Sequence, residues 1–168
     1  MVAWRAAPAG AGPPARRPVP RPPVHTRGMG RTIERINPDQ LHDTPGYHHV
    51  TVVDAGRLAF LAGQCPLDRS GAVVGADDLD AQVDQVAANA AAALAAAGAG
   101  PEHVVRSVIY VVSDDRDVLA SVWHRFHQSP IAPAFTTAST LLGVARLGFA
   151  GQLVELDLTA APPPDDLS

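Results

Sequence analysis

Two acids in an apolar stretch near the C-terminus, Glu155 and Asp157, are the residues of this chain best placed to do chemistry. Side chains alternate between the two faces of a strand. In Gln152 to Thr159 the two carboxylates therefore share one face, and Val154, Leu156 and Leu158 share the other. An acid in such a strand stands at a wet edge or at a site, where it can hold a water or take its proton. A second strand is predicted from about Ala134 to Leu142, with Phe135, Thr137 and Ser139 on one face, and a Gly-bearing turn at 143–151 carries Arg146 between the two. Other reactive types are scattered. His124 and His127 stand one helical turn apart and could reach one metal, but no Cys, Asp or Glu completes a ligand set, and adjacent His48 and His49 point to opposite strand faces, so no metal site is expected. Cys65 has no His or CxxC partner and reads as a small buried apolar side chain rather than a nucleophile.

The elements that must position these residues follow from local pattern. Thr32 to Ile36 alternates apolar and polar and is stopped by Asn37-Pro38, so it is predicted as an edge strand. Asp43 to Gly46 is a turn leading to Tyr47. His48 to Asp54 and Leu58 to Cys65 are predicted to form a hairpin about Ala55-Gly56, the second arm being apolar on both faces and so central and covered. A loop follows to Asp78. Helical spacing of Val83, Val86, Ala90, Leu94 and Ala97 marks a helix over 78–97, capped by Asp77 or Asp78 and stopped at Gly98. Val104 to Val112 is a buried β-branched strand. Asp117 to Gln128 is a second helix with Leu119, Val122, Trp123 and Phe126 inward. Interleaved strands and helices predict an α/β sandwich with both helices on one face of a mixed sheet of about six strands. No element is left to cover the other face, and self-association is the remedy.

Composition excludes several classes. The 168 residues suit one domain plus an extension, and 46% apolar residues suffice for a core. There are 13 Arg and no Lys, a sign of GC-rich coding rather than of nucleic-acid binding. Residues 1–28 hold five Arg, seven Pro and no acid, and are predicted as a disordered extension, with Met29 a plausible native start. No apolar region follows Arg16-Arg17, so a twin-Arg export signal is not supported. The domain proper spans 29–162, with a flexible tail at 163–168. Beyond residue 28 eight Arg face 17 acids, a net −9 that disfavours a nucleic-acid partner. A single Cys forms no internal disulfide and fits a reducing, cytoplasmic setting, and no apolar run approaches the roughly 20 residues a membrane span needs.

Residues 31–160 resemble the RidA (YjgF-type) family of small imine and enamine deaminases. The marks are Gly63-Gln64, Gln82 and Asn89, Ala96 to Gly98, the VVRSVIYVV strand, Pro133-Ala134, Val144 to Leu147, and Val154-Glu155-Leu156, in one order without a large gap. The resemblance implies a chorismate-mutase-like α/β fold and a homotrimer with ligand clefts between subunits. It implies hydrolysis of 2-imino or enamine acids to 2-keto acids and ammonia, with neither metal nor organic cofactor. It assigns Glu155 to positioning the water, Thr137 to the small polar position near the substrate, Tyr47 to the aromatic of the first loop, and Gly63 to the backbone beside the ligand.

The chain departs from the family at the substrate clamp. Family members open a strand with Pro-Ala-Arg, the Arg holding the substrate carboxylate as a fork, whereas Phe135 follows Pro133-Ala134 here. Losing such a fork costs about 2–5 kcal/mol of binding. Ala62 replaces a frequent Ser, and Ala120 falls where a helix Asn is usual. Phe135 is expected to line the pocket or pack the trimer, and Arg146 either stays on the surface or supplies the missing cation. On this reading Phe135→Arg would create 2-imino-acid deamination. Three functions remain open: a divergent imine/enamine deaminase, a non-catalytic small-molecule-binding trimer, and a hydrolase of another C=N or activated carbonyl compound.

Overall fold

The structure is a computed structural model that describes residues 32–54 and 56–164. The expectations for residues 1–28, for Met29 and for residues 165–168 lie outside the described residues. Eight elements follow in chain order: β1 (Ile33–Ile36), β2 (Val50–Val53), β3 (Ala59–Phe60), α1 (Leu79–Ala96), β4 (Val104–Val111), α2 (Arg116–His127), β5 (Ala138–Gly143) and β6 (Val154–Ala160). The six strands divide into two sheets, β1-β2 and a mixed sheet ordered β3-β6-β4-β5.

Local signals place the helices where their chemistry requires. The Asp78 carboxylate caps α1 by accepting from Ala81 N at 3.0 Å. Gly98, at φ +70°, ends it in the left-handed region that Gly adopts without a Cβ penalty. Val83, Val86, Ala90 and Leu94 are fully buried, the stripe the spacing predicts. Asp115 caps α2 through Asp117 N at 2.8 Å, and Val122 and Phe126 form its buried face. Both helices pack on the sheet side that presents Ile109, Val111, Val154, Leu156 and Leu158, forming one core. Each large apolar side chain buried there contributes about 1.5–3 kcal/mol.

β4 is the centre of the sheet. β6 runs antiparallel on one side, pairing Tyr110 with Glu155 and Val108 with Asp157. β5 runs parallel on the other, pairing Arg106 with Ala138 and Val111 with Gly143. The two C-terminal strands therefore never pair with each other. The face turned away from the helices presents Glu155, Asp157, Tyr110, Leu142 and Phe60, the last 77% exposed.

Three expectations are corrected here. First, β2 and β3 form no hairpin. β2 pairs only with β1 and is held at the start of β5, where His48 N donates to Thr137 O at 3.2 Å and Ala138 N donates to Thr51 Oγ1 at 3.1 Å. Second, the 58–65 segment is not a covered central strand. Only Ala59–Phe60 is regular, and the rest follows the outer edge of β6 through Leu61 N to Leu158 O and Gln64 N to Leu156 O. Third, the strand expected from Ala134 starts at Ala138. Residues Ala132–Phe135 form a 3-10 turn with Pro133 in its opening positions, so Phe135 does not alternate with Thr137 and Ser139.

Candidate functional site

The strongest candidate is built around Glu155. The alternation of β6 turns it away from the core, half-buried, beside the edge segment 63–65. A buried amide fixes it. Gln152, 3% exposed, donates from Nε2 to Glu155 Oε2 at 3.0 Å and to Val154 O at 3.2 Å, while its Oε1 accepts from Phe149 N. The carboxylate lies over Gly63: a Cβ built there would collide with Glu155 Oε1. Gly63 is therefore required as an absence of side chain.

A cleft of about 540 Å³ opens along this edge, lined by Gly63, Gln64, Cys65, Arg69, Asn89 and Phe149 among others. Arg69 is the sole cation among its lining residues. Its amides are committed to structure. Asn89 Nδ2 donates to Cys65 O and Leu67 O, both at 2.9 Å, and Asn89 Oδ1 accepts from Gln85 Nε2. Two turns earlier on α1, the fully buried Gln82 donates to Gly75 O and Gly151 O and accepts from Leu153 N. These two helix amides hold the loop that precedes α1 and the entry to β6 at one end of the sheet. Burial, then the nearby Glu155 charge, pushes the Cys65 thiol above its ordinary pKa.

The other expected residues gather at the opposite end of β4. Thr137 is fully buried, its hydroxyl donating to Val105 O at 2.8 Å and lying 2.6 Å from Thr51 Oγ1. It ties β2 to β5 and presents no free hydroxyl. Phe135 is also fully buried, against Phe126 (centroids 4.9 Å), His127 and Trp123. It is core, not pocket lining, because the 3-10 turn folds it under α2. Tyr47 meets Trp123 and His49 edge-on, with its hydroxyl 3.3 Å from His42 Nε2. Trp123 Nε1 donates to Pro45 O and holds this loop to α2.

Three corrections follow. Within one chain Thr137, beside Val105, lies five β4 residues and two strand spacings from Glu155, beside Tyr110. Strand geometry puts them roughly 15–20 Å apart. Arg146 is exposed after β5 and does not line the cleft. Phe135, the clamp position by the resemblance, lies in the turn before β5, and the residues that open the strand itself, Ala138 and Ser139, include no cation. Ser139 Oγ is spent on Ser107 Oγ at 2.6 Å. His127 packs inward against Trp123 while His124 is exposed, and no group of three His, Cys, Asp or Glu that could hold a metal occurs among the described residues.

Sequence reasoning missed Gln152, whose place under Glu155 depends on the turn before β6. It also missed the adjacency of Cys65 and Glu155, which comes from pairing across 90 residues. The 65/155 register had no local signal.

Comparisons with known proteins agree with this architecture. A family model described as Endoribonuclease L-PSP matches residues 40–162. The Rid-family protein YyfB of Yersinia pestis, of unknown function, is 33% identical, with a TM-score of 0.69, 79% of this chain covered and 98% of that one. A RutC family protein of Synechocystis is 30% identical over 134 residues, 79% of this chain and 98% of its own. Protein DfrA of Myxococcus xanthus is 40% identical over 86 residues, 51% of this chain, and the match spans 64% of its length.

Proposed function

The chain belongs to the Rid (YjgF-type) family, and from that premise we propose that it is a divergent imine/enamine deaminase whose water is placed by Glu155. The observation that carries this reading is the Glu155 carboxylate, locked by Gln152 and laid across the bare backbone of Gly63 at an open cleft. An imine carbon is already electrophilic, so the protein needs only to orient it and supply one activated water. Glu155 takes a proton as water adds to the C=N carbon. Returning it to nitrogen lets the carbinolamine expel ammonia and leave the carbonyl. With no Arg at the opening of β5, the substrate class is a C=N compound less polar than a 2-imino acid.

A homotrimer completes the site in this reading. The separation of Glu155 from Tyr47 and Thr137 in one chain, and the apolar residues Phe60 and Leu142 exposed on the open sheet face, support a cleft in which one subunit's Glu155 end meets another's Tyr47 end. The partners are then a second copy and a small molecule. Ribonuclease chemistry, which the description of the matching model names, is not carried over: eight Arg face 17 acids beyond residue 28.

The test is a coupled assay on freshly generated 2-aminoacrylate and 2-iminobutanoate, and on imines without a carboxylate, comparing wild type with Glu155→Ala. The expected outcome is turnover that falls about 10²–10⁴-fold in the variant with its oligomeric state intact. A second reading, a non-catalytic small-molecule-binding trimer, is favoured by the buried, fully bonded Thr137 hydroxyl and the missing clamp. Ligand binding without turnover in either protein would establish it instead.

A further inference from the structure

Cys65 has no assigned role, yet the fold sets it directly across from the one carboxylate that the proposed chemistry uses. The antiparallel bridge between Gln64 and Leu156 is closed by two backbone bonds, Gln64 N to Leu156 O at 2.7 Å and Leu156 N to Gln64 O at 3.1 Å. One residue on along one strand and one back along the other, that register makes Cys65 and Glu155 a cross-strand pair, whose Cβ atoms stand about 4.5–5.5 Å apart. The Glu155 side chain does not lie straight across. It leans diagonally onto Gly63, where no Cβ opposes it, with its other oxygen on Gln152. The thiol occupies the remaining flank, with Sγ 3.7 Å from Gly63 O, and lines the cleft that the carboxylate borders.

We propose that Cys65 is a positioning residue: its protonated thiol walls in Glu155 from the cleft side and holds the carboxylate over Gly63, at the angle from which it can hold a water. The inference rests on the role proposed for Glu155, although the contact itself does not. The chemistry suits the task. A thiol is a weak donor that adds no charge beside a carboxylate. A thiolate there would repel Glu155, and burial together with the Glu155 charge keeps the thiol protonated to higher pH than in free cysteine. The other ionisable groups near the pair are Asp157, two residues along the same face of β6, Tyr110 on β4, opposite Glu155, and Asp68 and Arg69 on the cleft loop. The Asp68 carboxylate is satisfied within its own turn by Ser70 N, Ser70 Oγ and Ala72 N. On this account Cys65 is no nucleophile, despite lining an open cleft.

The test has two arms. In the first, the rate of iodoacetamide alkylation of this single cysteine is followed against pH in the wild type and in Glu155→Gln. The wild-type profile is expected to rise only above the free-thiol range of about 8.5. Glu155→Gln shifts it to lower pH and raises the neutral-pH rate several-fold. An unshifted profile in a folded Glu155→Gln protein overturns the contact, whatever the protein's activity. In the second arm, Cys65→Ala lowers kcat on the imine substrate about tenfold with little change in KM, and Cys65→Ser, which keeps a donor of similar size, restores most of it. Equal rates for Cys65→Ala and wild type overturn the positioning role. If wild type turns over no imine, the deaminase reading fails and the positioning role with it. The alkylation arm then still decides whether Cys65 and Glu155 touch.

Discussion

The two ends of β4 carry similar numbers of polar and aromatic candidates, yet they are built in opposite ways. At the Glu155 end, a buried and a half-buried amide are spent on backbone groups of the loops: Gln82 on Gly75, Gly151 and Leu153, Asn89 on Cys65 and Leu67. That spending leaves a carboxylate lying over Gly63, at the border of an open cleft. At the Thr137 end the candidates bond to one another and to the core, and little faces outward. Thr137, Thr51 and His48 close the joint between β2 and β5, and Phe135 fills the space under α2. A reactive residue type is available for chemistry only where its neighbours satisfy the framework without it. By that criterion Glu155 is the candidate for chemistry, and Thr137 and Phe135 belong to a joint.

The largest effect that would break this contrast is at Phe135. If it is core, Phe135→Ala lowers stability by about 3–5 kcal/mol in urea unfolding. Phe135→Arg, far from creating a substrate clamp, unfolds the domain by burying an unpaired charge. A folded, more active Phe135→Arg protein would return Phe135 to the site. Next in size is Gly63→Ala, whose methyl group displaces the Glu155 carboxylate. Turnover is expected to fall about 10–100-fold with a change in melting temperature of only a few degrees. Thr137→Val sharpens the comparison from the other end. Removing a buried hydroxyl with two partners costs about 1–3 kcal/mol, and the β1-β2 amides exchange faster while turnover at the Glu155 cleft changes less than in Gly63→Ala.

The smallest expected effect is a pH dependence of stability. The raised pKa of Cys65 means that the unfolded chain loses this proton first. Between the unfolded value near 8.5 and the higher folded value, unfolding releases a proton, so stability falls as pH rises through that window and is intact below it. Cys65→Ser removes this part of the slope, measured as urea midpoints from pH 7 to 10.

Much of this was legible in the chain. The Asp78 cap, the Val83 to Leu94 stripe and the Gly98 stop lie within a few residues of one another, and local pattern suffices for α1. The alternation of Val154 to Leu158 likewise located Glu155 on the exposed side of its strand. Phe135 was misplaced because Pro-Ala-Phe-Thr suits a strand opening and a 3-10 turn alike. Which one forms depends on Phe126, His127 and Trp123, which only α2's docking brings near. The 48–65 hairpin failed for a related reason. Its turn chemistry was sound, but both arms found better partners elsewhere, Thr51 at Ala138 and Gln64 at Leu156.

From its sequence alone, then, this protein's helices, its central strand, its family resemblance and the candidacy of Glu155 are determined, because each rests on periodicity, caps or short motifs along the chain. Tertiary structure alone decided that Gln152 and Gly63 hold that carboxylate, that Cys65 faces it, and that Thr137 and Phe135 are spent on the fold. Those outcomes depend on strand register and on competition for buried partners between segments far apart in sequence, which no local pattern encodes.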